Sequence, residues 1–293
     1  MILQNQFWRH MVEEIIFIYS FCSDLLKEVG FVDDRQCKMN SSEIMTVAVI
    51  SALYFRGNHD MTRRFLKAHG YMRTMLGKSR FNRRVHAIDF DLWQFVLSCL
   101  KQALTKKRSN LEYVVDSFPV EVCSNVRSYR CKILSGKKYI GYCSSKKKYY
   151  YGIKVHMIAS TSGIPMEVLI TPASTADILA FKIMEIDIRA GSIVYADKAY
   201  TDYEFEDLIE ESANIRLVPQ RKGNMKRQHY GPVAYVQSLR RKYIETTFSR
   251  IVGLFPRSIV AVTKEGFLLK ILLFIVAYVF SIIFRDGALA ESC

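Results

Sequence analysis

Among the seven cysteines, Cys22, Cys37, Cys99, Cys123, Cys131, Cys143 and Cys293, there is no Cys-x-x-Cys pair. That excludes dithiol redox chemistry and the common zinc ribbons. A Walker loop and a Gly-x-Gly-x-x-Gly turn are both absent, so neither ATP nor a nicotinamide cofactor has a recognisable seat. The start lacks a basic segment followed by an apolar run and a small-residue cleavage site, and a reducing cytoplasm is the expected setting. No uncharged apolar run reaches the roughly 18 residues of a membrane span. The longest, 271–284, has 14 residues with Lys270 just upstream, and it reads as a buried core helix; contact with a membrane surface is the remote alternative. Acidic residues are the scarcer charge: 28 Asp and Glu against 42 Lys and Arg give a net +14. A polyanionic partner is favoured, nucleic acid first.

Half of the 293 residues are hydrophobic, enough for one large domain or two modest ones. Residues 1–108 read as an all-α amino-terminal domain, because apolar positions recur at three- and four-residue spacings in 7–29, 44–55 and 90–104. Asn40 followed by Glu43 is a helix start. The turn Arg56-Gly57-Asn58 joins two helical stretches with the size of a helix-turn-helix unit, whose second helix carries Arg63, Arg64 and Lys67. Arg80, Arg83 and Arg84 share one helical face and could track a phosphate backbone, although a solvated helix face explains them equally well. Lys106, Lys107 and Arg108 mark the boundary.

From 109 to 293 the pattern changes to short β-rich runs separated by helices. Strand composition is found at 113–120, 149–159, 166–171, 192–196 and 215–219, and helices are expected at 174–188, 202–212, 236–255 and 264–284. The order of three strands, helix, strand, helix, strand, helix is that of a ribonuclease-H-like α/β domain, a mixed five-stranded sheet flanked by helices. No internal repeat is evident.

Three acidic residues stand out in this frame. Asp116 follows Tyr113, Val114 and Val115 in a buried strand, and Asp197 ends the apolar run Ile193 to Ala196. A carboxylate there is costly without a partner, and two on neighbouring strands repel each other unless a cation lies between them. Hard divalent ions with oxygen ligands meet that need. Glu245 borders the helical stripe of Ile244, Phe248, Ile251 and Phe255, with Arg241 one turn earlier. Each of the three has an ordinary alternative: a turn start, a helix cap, or a surface ion pair.

Three motifs carry a family resemblance: Val115-Asp116-Ser117-Phe118-Pro119-Val120, Tyr195-Ala196-Asp197-Lys198-Ala199-Tyr200 and Arg241-Lys242-Tyr243-Ile244-Glu245-Thr246-Thr247-Phe248-Ser249. The chain resembles the DDE transposases of bacterial insertion sequences, in particular the 982-type family, over most of its length. The resemblance implies a ribonuclease-H-like fold and two Mg²⁺ or Mn²⁺ ions held by Asp116, Asp197 and Glu245. It also implies cutting and joining of DNA at the terminal inverted repeats of a mobile element, and a homo-oligomer, a dimer, in the synaptic complex of a nucleoid-associated protein. Related transposases often show Tyr, two residues, Arg, three residues, Glu, six residues, Lys. Here Arg241 and Glu245 match, Ser238 replaces the Tyr and Val252 the Lys; Arg250 is the substitute DNA-contacting cation. A nuclease that does not join strands, and a non-catalytic DNA-binding derivative, remain the alternatives.

Basic segments flank these acids. Residues 121–154 hold nine Lys or Arg against one acid, and 216–242 hold eight against none. Lys146, Lys147, Lys148 and Lys198 join Arg241 and Arg250 as expected DNA contacts. Tyr129, Tyr139, Tyr142, Tyr149, Tyr150 and Tyr151 are interleaved and could stack on bases or sugars, although strand packing is the weightier reading for the last three. Cys123, Cys131, Cys143 and His156 match no standard zinc spacing. His156 reads as a packed core histidine and Asp177 as a helix start.

Overall fold

The structure is a computed structural model, and it describes residues 2–106, 111–144, 146–229 and 231–285. Part of the expected boundary segment, Lys107 and Arg108 included, lies outside the described residues, as does Cys293. The chain divides into two compact units. The first takes residues 1–103, 253–259 and 265–293, and the second takes 104–252 and 260–264.

The first unit is helical. It contains α1 (Ile2–Glu28), α2 (Ser41–Tyr54), α3 (His59–Ala68), α4 (Lys78–Ala87), most of α5 (Phe90–Thr105) and nearly all of α9 (Lys264–Arg285). Helix α2 is buried on nearly all sides from Ser41 to Ala52, as expected for a helix without a polar face. Its start is the expected one. Asn40 accepts from the Glu43 backbone at 2.7 Å and Glu43 accepts from the Asn40 backbone at 2.8 Å, a reciprocal capping box that satisfies two orphan donors. The tight turn to α3 passes through Gly57 at φ +74°, where an added Cβ would lie 2.9 Å from the Phe274 ring. Only glycine fits both constraints.

Sequence reading ended the second domain at residue 293, but α9 packs in the first unit. Phe280 meets Phe17 and Phe21 of α1 at ring separations of 6.3 and 5.5 Å. By length and composition α9 could cross a membrane, yet 78% of its most apolar stretch is buried inside the protein. Its uniform apolarity is that of a helix enclosed by others.

The second unit is built on a mixed sheet of β1 (Glu112–Ser124), β2 (Ile140–Cys143), β3 (Lys148–Ser160), β4 (Pro165–Pro172), β5 (Ile193–Ala196) and β6 (Arg216–Pro219). The order across it is β2-β3-β1-β5-β6, with β4 also on β3. Strands β2 and β4 pair with different parts of β3, residues 148–151 and 153–159. The sheet therefore has one strand more than expected. Residues 140–143 are too short and too interrupted by Gly141 to show a strand pattern alone, and they become one by pairing with the end of β3. Helices α6 (Asp177–Ile183), α7 (Tyr203–Ala213) and α8 (Gly231–Leu254) complete the unit. Helix α6 is shorter than the expected 174–188: Ser174 and Thr175 stay in a turn bonded to Lys138 and Pro172, and the helix ends at Ile183, with Met184 already in extended backbone.

Two features of β1 prepare the site. It is antiparallel to β3 along its length but parallel to β5 only from Glu112↔Ile193 to Val115↔Ala196. Strand β5 stops there, so β1 runs on with its β5 side open. Further along, β1 bulges between Glu121 and Cys123. At that point a Cβ on Gly152 would lie 2.1 Å from the Val120 carbonyl oxygen, and glycine alone permits so close an approach.

Candidate functional site

The last parallel pair is Val115 with Ala196, so the next residues, Asp116 and Asp197, sit side by side where the two strands part. Adjacent strands lie about 4.8 Å apart and equivalent positions share a face, which places the two carboxylates together. Ligand sites in open α/β sheets favour such carboxyl ends at a change of strand direction.

Helix α8 brings the third acid. Its buried stripe is Ile244, Thr247, Phe248 and Ile251, and Phe248 packs on Phe118 of β1 at a ring separation of 4.7 Å. Gln237 sets the register of the helix. It is 2% exposed, and its amide nitrogen donates to the carbonyls of Ala196 at 3.0 Å and Val218 at 2.7 Å. Arg240 adds an ion pair with Glu112 at 2.6 Å, and Glu112 also accepts from the Tyr195 hydroxyl at 3.0 Å. With the helix pinned to the ends of β5 and β6, Arg241 stands one turn beyond Gln237 and Glu245 one turn beyond Arg241.

Arg241 lies among the three carboxylates. Its guanidinium nitrogens are 3.7 Å from Asp116, 3.6 Å from Asp197 and 3.9 Å from Glu245. These are contacts of charge, too long for charge-assisted hydrogen bonds. It donates a hydrogen bond to Gln220 at 3.1 Å. One positive charge thus faces three negative ones. Burial raises the Asp116 carboxyl to about 6, with Asp197 and Asp177 adding to the rise and Arg241 and the Ser117 backbone opposing it. Glu245 is the outer member, 63% exposed against 21% for Asp116 and 30% for Asp197.

The donor chemistry suits hard divalent cations, being all carboxylate oxygen with an uncompensated negative charge. Among the described residues, however, no three His, Cys, Asp or Glu side chains already close on a common point. The trio is spread around Arg241. The same holds for Cys123, Cys131, Cys143 and His156, which form no ligand set.

The expected DNA contacts divide by their surroundings. Lys198 is exposed in the short turn after Asp197, while its backbone donates to Asp197 at 2.6 Å. Arg250 is exposed on α8, and Lys146, Lys147 and Lys148 are exposed at the turn between β2 and β3, with Lys148 paired to Glu121 at 2.8 Å. Arg80, Arg83 and Arg84 do share a face, lining one hollow with Lys38 and Met39. Arg84 is turned to Asp33 at 2.7 Å. Arg63 and Arg64 separate: Arg64 is 80% exposed and pairs with Asp60, whereas Arg63 is 11% exposed and bonded to the Leu76 carbonyl and Asp60.

The tyrosines also divide. Tyr139, Tyr150 and Tyr151 are buried, while Tyr129, Tyr142 and Tyr149 are exposed, the last two side by side at 5.0 Å. His156 is a packed histidine at 1% exposure, and burial holds it down at about 4. Sequence reading missed Gln237 and Gln220. The signal for Gln237 was its spacing, four and eight residues before Arg241 and Glu245.

Residues 105–255, just over half of the chain, match a protein-family model described as a transposase DDE domain. No curated protein and no solved structure matches the chain.

Proposed function

We propose, from the premise that this chain belongs to the transposase DDE domain family, that it cuts DNA at the ends of an insertion sequence and joins those ends to a target. The observation that carries the reading is the convergence of Asp116, Asp197 and Glu245 on Arg241 where β1 and β5 part. The long antiparallel strands β1, β3 and β4, followed by β5 and β6 running parallel to β1, support a ribonuclease-H-like fold to which the short β2 is added. The three motifs support a place in the 982-type group.

On this reading Asp116, Asp197 and Glu245 are the residues that would hold two Mg²⁺ or Mn²⁺ ions. Such a pair of ions, when bound, activates the attacking oxygen and stabilises the departing one of an in-line displacement at phosphorus. The residues of the chain supply the rest. Arg241, weakly tied to them, is placed to turn to a phosphate next to the scissile bond. Lys198, Arg250 and the Lys146–Lys148 turn offer exposed charge to the DNA backbone, and Arg64, Arg80 and Arg83 do so from the helical unit. Water and then a DNA 3′-hydroxyl are the successive nucleophiles. The working form is a dimer on paired element ends, in the cytoplasm with the nucleoid.

The test is a strand-transfer assay with purified protein, pre-cut element ends, a target plasmid and Mg²⁺ or Mn²⁺. Joined product is expected from the wild type and none from Asp197→Asn. Cleavage without joining would leave a nuclease. Metal-dependent cleavage unchanged in Asp197→Asn would overturn the site.

A further inference from the structure

We propose that Asp177 is a positioning residue of this site, fixing through the Ser117 hydroxyl the piece of β1 that carries Asp116. The inference rests on the reading of Asp116 and Asp197 as metal ligands. From the sequence Asp177 is a helix start, and it does open α6. The cap of that helix is nevertheless Ala176, which makes no side-chain bond to it. Asp177 is turned instead to the sheet.

One carboxylate oxygen, Oδ1, accepts from the Ser117 hydroxyl at 2.8 Å and from the Lys154 ammonium at 3.1 Å. Lys154 also donates to the Thr175 carbonyl at 2.9 Å, tying the turn before α6 to β3. The imidazole of His156 faces the same oxygen, with Nδ1 at 3.7 Å. That nitrogen is buried and has no hydrogen-bond partner, while Nε2 is engaged by Thr171 at 2.9 Å. Ser117 lies opposite His156, and Pro119 opposite Lys154, in the β1–β3 ladder. Two neighbouring strands thus direct three polar groups at one oxygen. The Tyr200 hydroxyl, 1% exposed, lies beside Ser117 outside hydrogen-bonding geometry and feels Asp116, Asp177 and Asp197 together.

The place of this cluster gives it a purpose. The ladder with β5 ends at Val115, so Asp116 and Ser117 are the first residues of β1 without that support. Ser117 is held by Asp177, and its backbone N–H donates to Asp116 Oδ1 at 2.8 Å. The chain Lys154, Asp177, Ser117, Asp116 replaces the missing strand and orients the carboxylate. Such outer partners typically carry 10–100-fold in metal affinity.

The experiment is a Mn²⁺ titration of the full chain by calorimetry, without DNA, beside thermal melts. Asp177→Asn and Ser117→Ala are each expected to weaken Mn²⁺ binding about 10–100-fold, at a melting temperature close to wild type for Ser117→Ala. The double variant is expected to bind no worse than the weaker single one, because both cut one chain. Ser117→Thr, which keeps the hydroxyl, is expected to retain wild-type affinity. Unchanged affinity in the single variants, or losses that multiply in the double, would overturn the role of Asp177. Should Asp177→Asn not fold, Ser117→Ala against Ser117→Thr decides alone. A wild type that binds no Mn²⁺ would instead bring down the metal reading itself, a different result from a wild type that binds and variants that match it.

Discussion

Replacing Asp116 by asparagine should make the metal-free protein more stable while destroying its site. Folding raises the Asp116 carboxyl from 3.8 to about 6, burial being the main cause. A carboxyl raised on folding holds its proton more tightly in the native chain. Its stabilising contribution is therefore complete below pH 3.8 and is lost as pH climbs through about 6. At about 1.36 kcal/mol per pH unit, that interval amounts to roughly 3 kcal/mol of native stability given up at neutral pH. Asparagine keeps the shape and removes the buried charge, at the loss of some attraction to Arg241, so a net gain of about 2 kcal/mol is expected at pH 7.5. For a chain of this size, melting should rise by about 4–8 °C. The assay is a set of thermal melts of wild type and Asp116→Asn in EDTA from pH 4 to 8. The curves should meet near pH 4 and separate above pH 6, and Mg²⁺ should raise the wild type alone. A variant that melts at or below wild type at pH 7.5 in EDTA would refute the account of Asp116 as a strained, uncompensated charge.

Gln237→Leu keeps a side chain of similar size but leaves the Ala196 and Val218 carbonyls without its amide. A loss of about 2–3 kcal/mol in urea unfolding is expected, and a neutral result would remove Gln237 as the pin of α8. Lys146→Ala with Lys147→Ala should flatten the dependence of log DNA affinity on log salt by about 2, measured by anisotropy on duplex in EDTA. Arg63→Ala, whose guanidinium is committed to Leu76 and Asp60, should lower stability and leave that slope in place. Arg241→Met should strengthen Mn²⁺ binding and weaken DNA binding; weaker Mn²⁺ binding would make the arginine a clamp on the carboxylates instead of a loosely held neighbour.

Much of the sheet was legible because β1, β3, β4, β5 and β6 are apolar runs bounded by turn residues, and the buried acids showed against them. Val114 and Val115 before Asp116, and Val194 to Ala196 before Asp197, announce a carboxylate at the end of a buried strand. That these two strands are neighbours and in register is a matter of pairing, which period and composition alone do not state. The short β2 was invisible for the same reason, since its strand character comes from Tyr149↔Tyr142 and the adjoining pairs with β3. The apolarity of α9 marks it as a core helix, but which core it joins depends on the aromatic contacts with α1, separated from it by more than two hundred residues of chain. The surroundings of a single side chain are less legible still. Arg63 and Arg64 are adjacent in sequence and alike in chemistry, yet a helix turns about 100° between neighbours, so one faces Leu76 and the other solvent.

The same rotation explains why α8 was read more completely than α3. Gln237, Arg241 and Glu245 fall at intervals of four, and a helix places such residues along one side. Once Glu245 was placed at the edge of the apolar stripe, Arg241 followed from spacing alone, and Gln237 would have followed too. What spacing cannot supply is the sign of the balance at that face. A single guanidinium at 3.6–3.9 Å from three carboxylates leaves Asp116 strained toward protonation. In a structural ion-pair network of this size the charges would be matched and the distances short. Here they are neither, and an excess of negative charge held open by a pinned helix is the arrangement that a bound divalent cation would relieve.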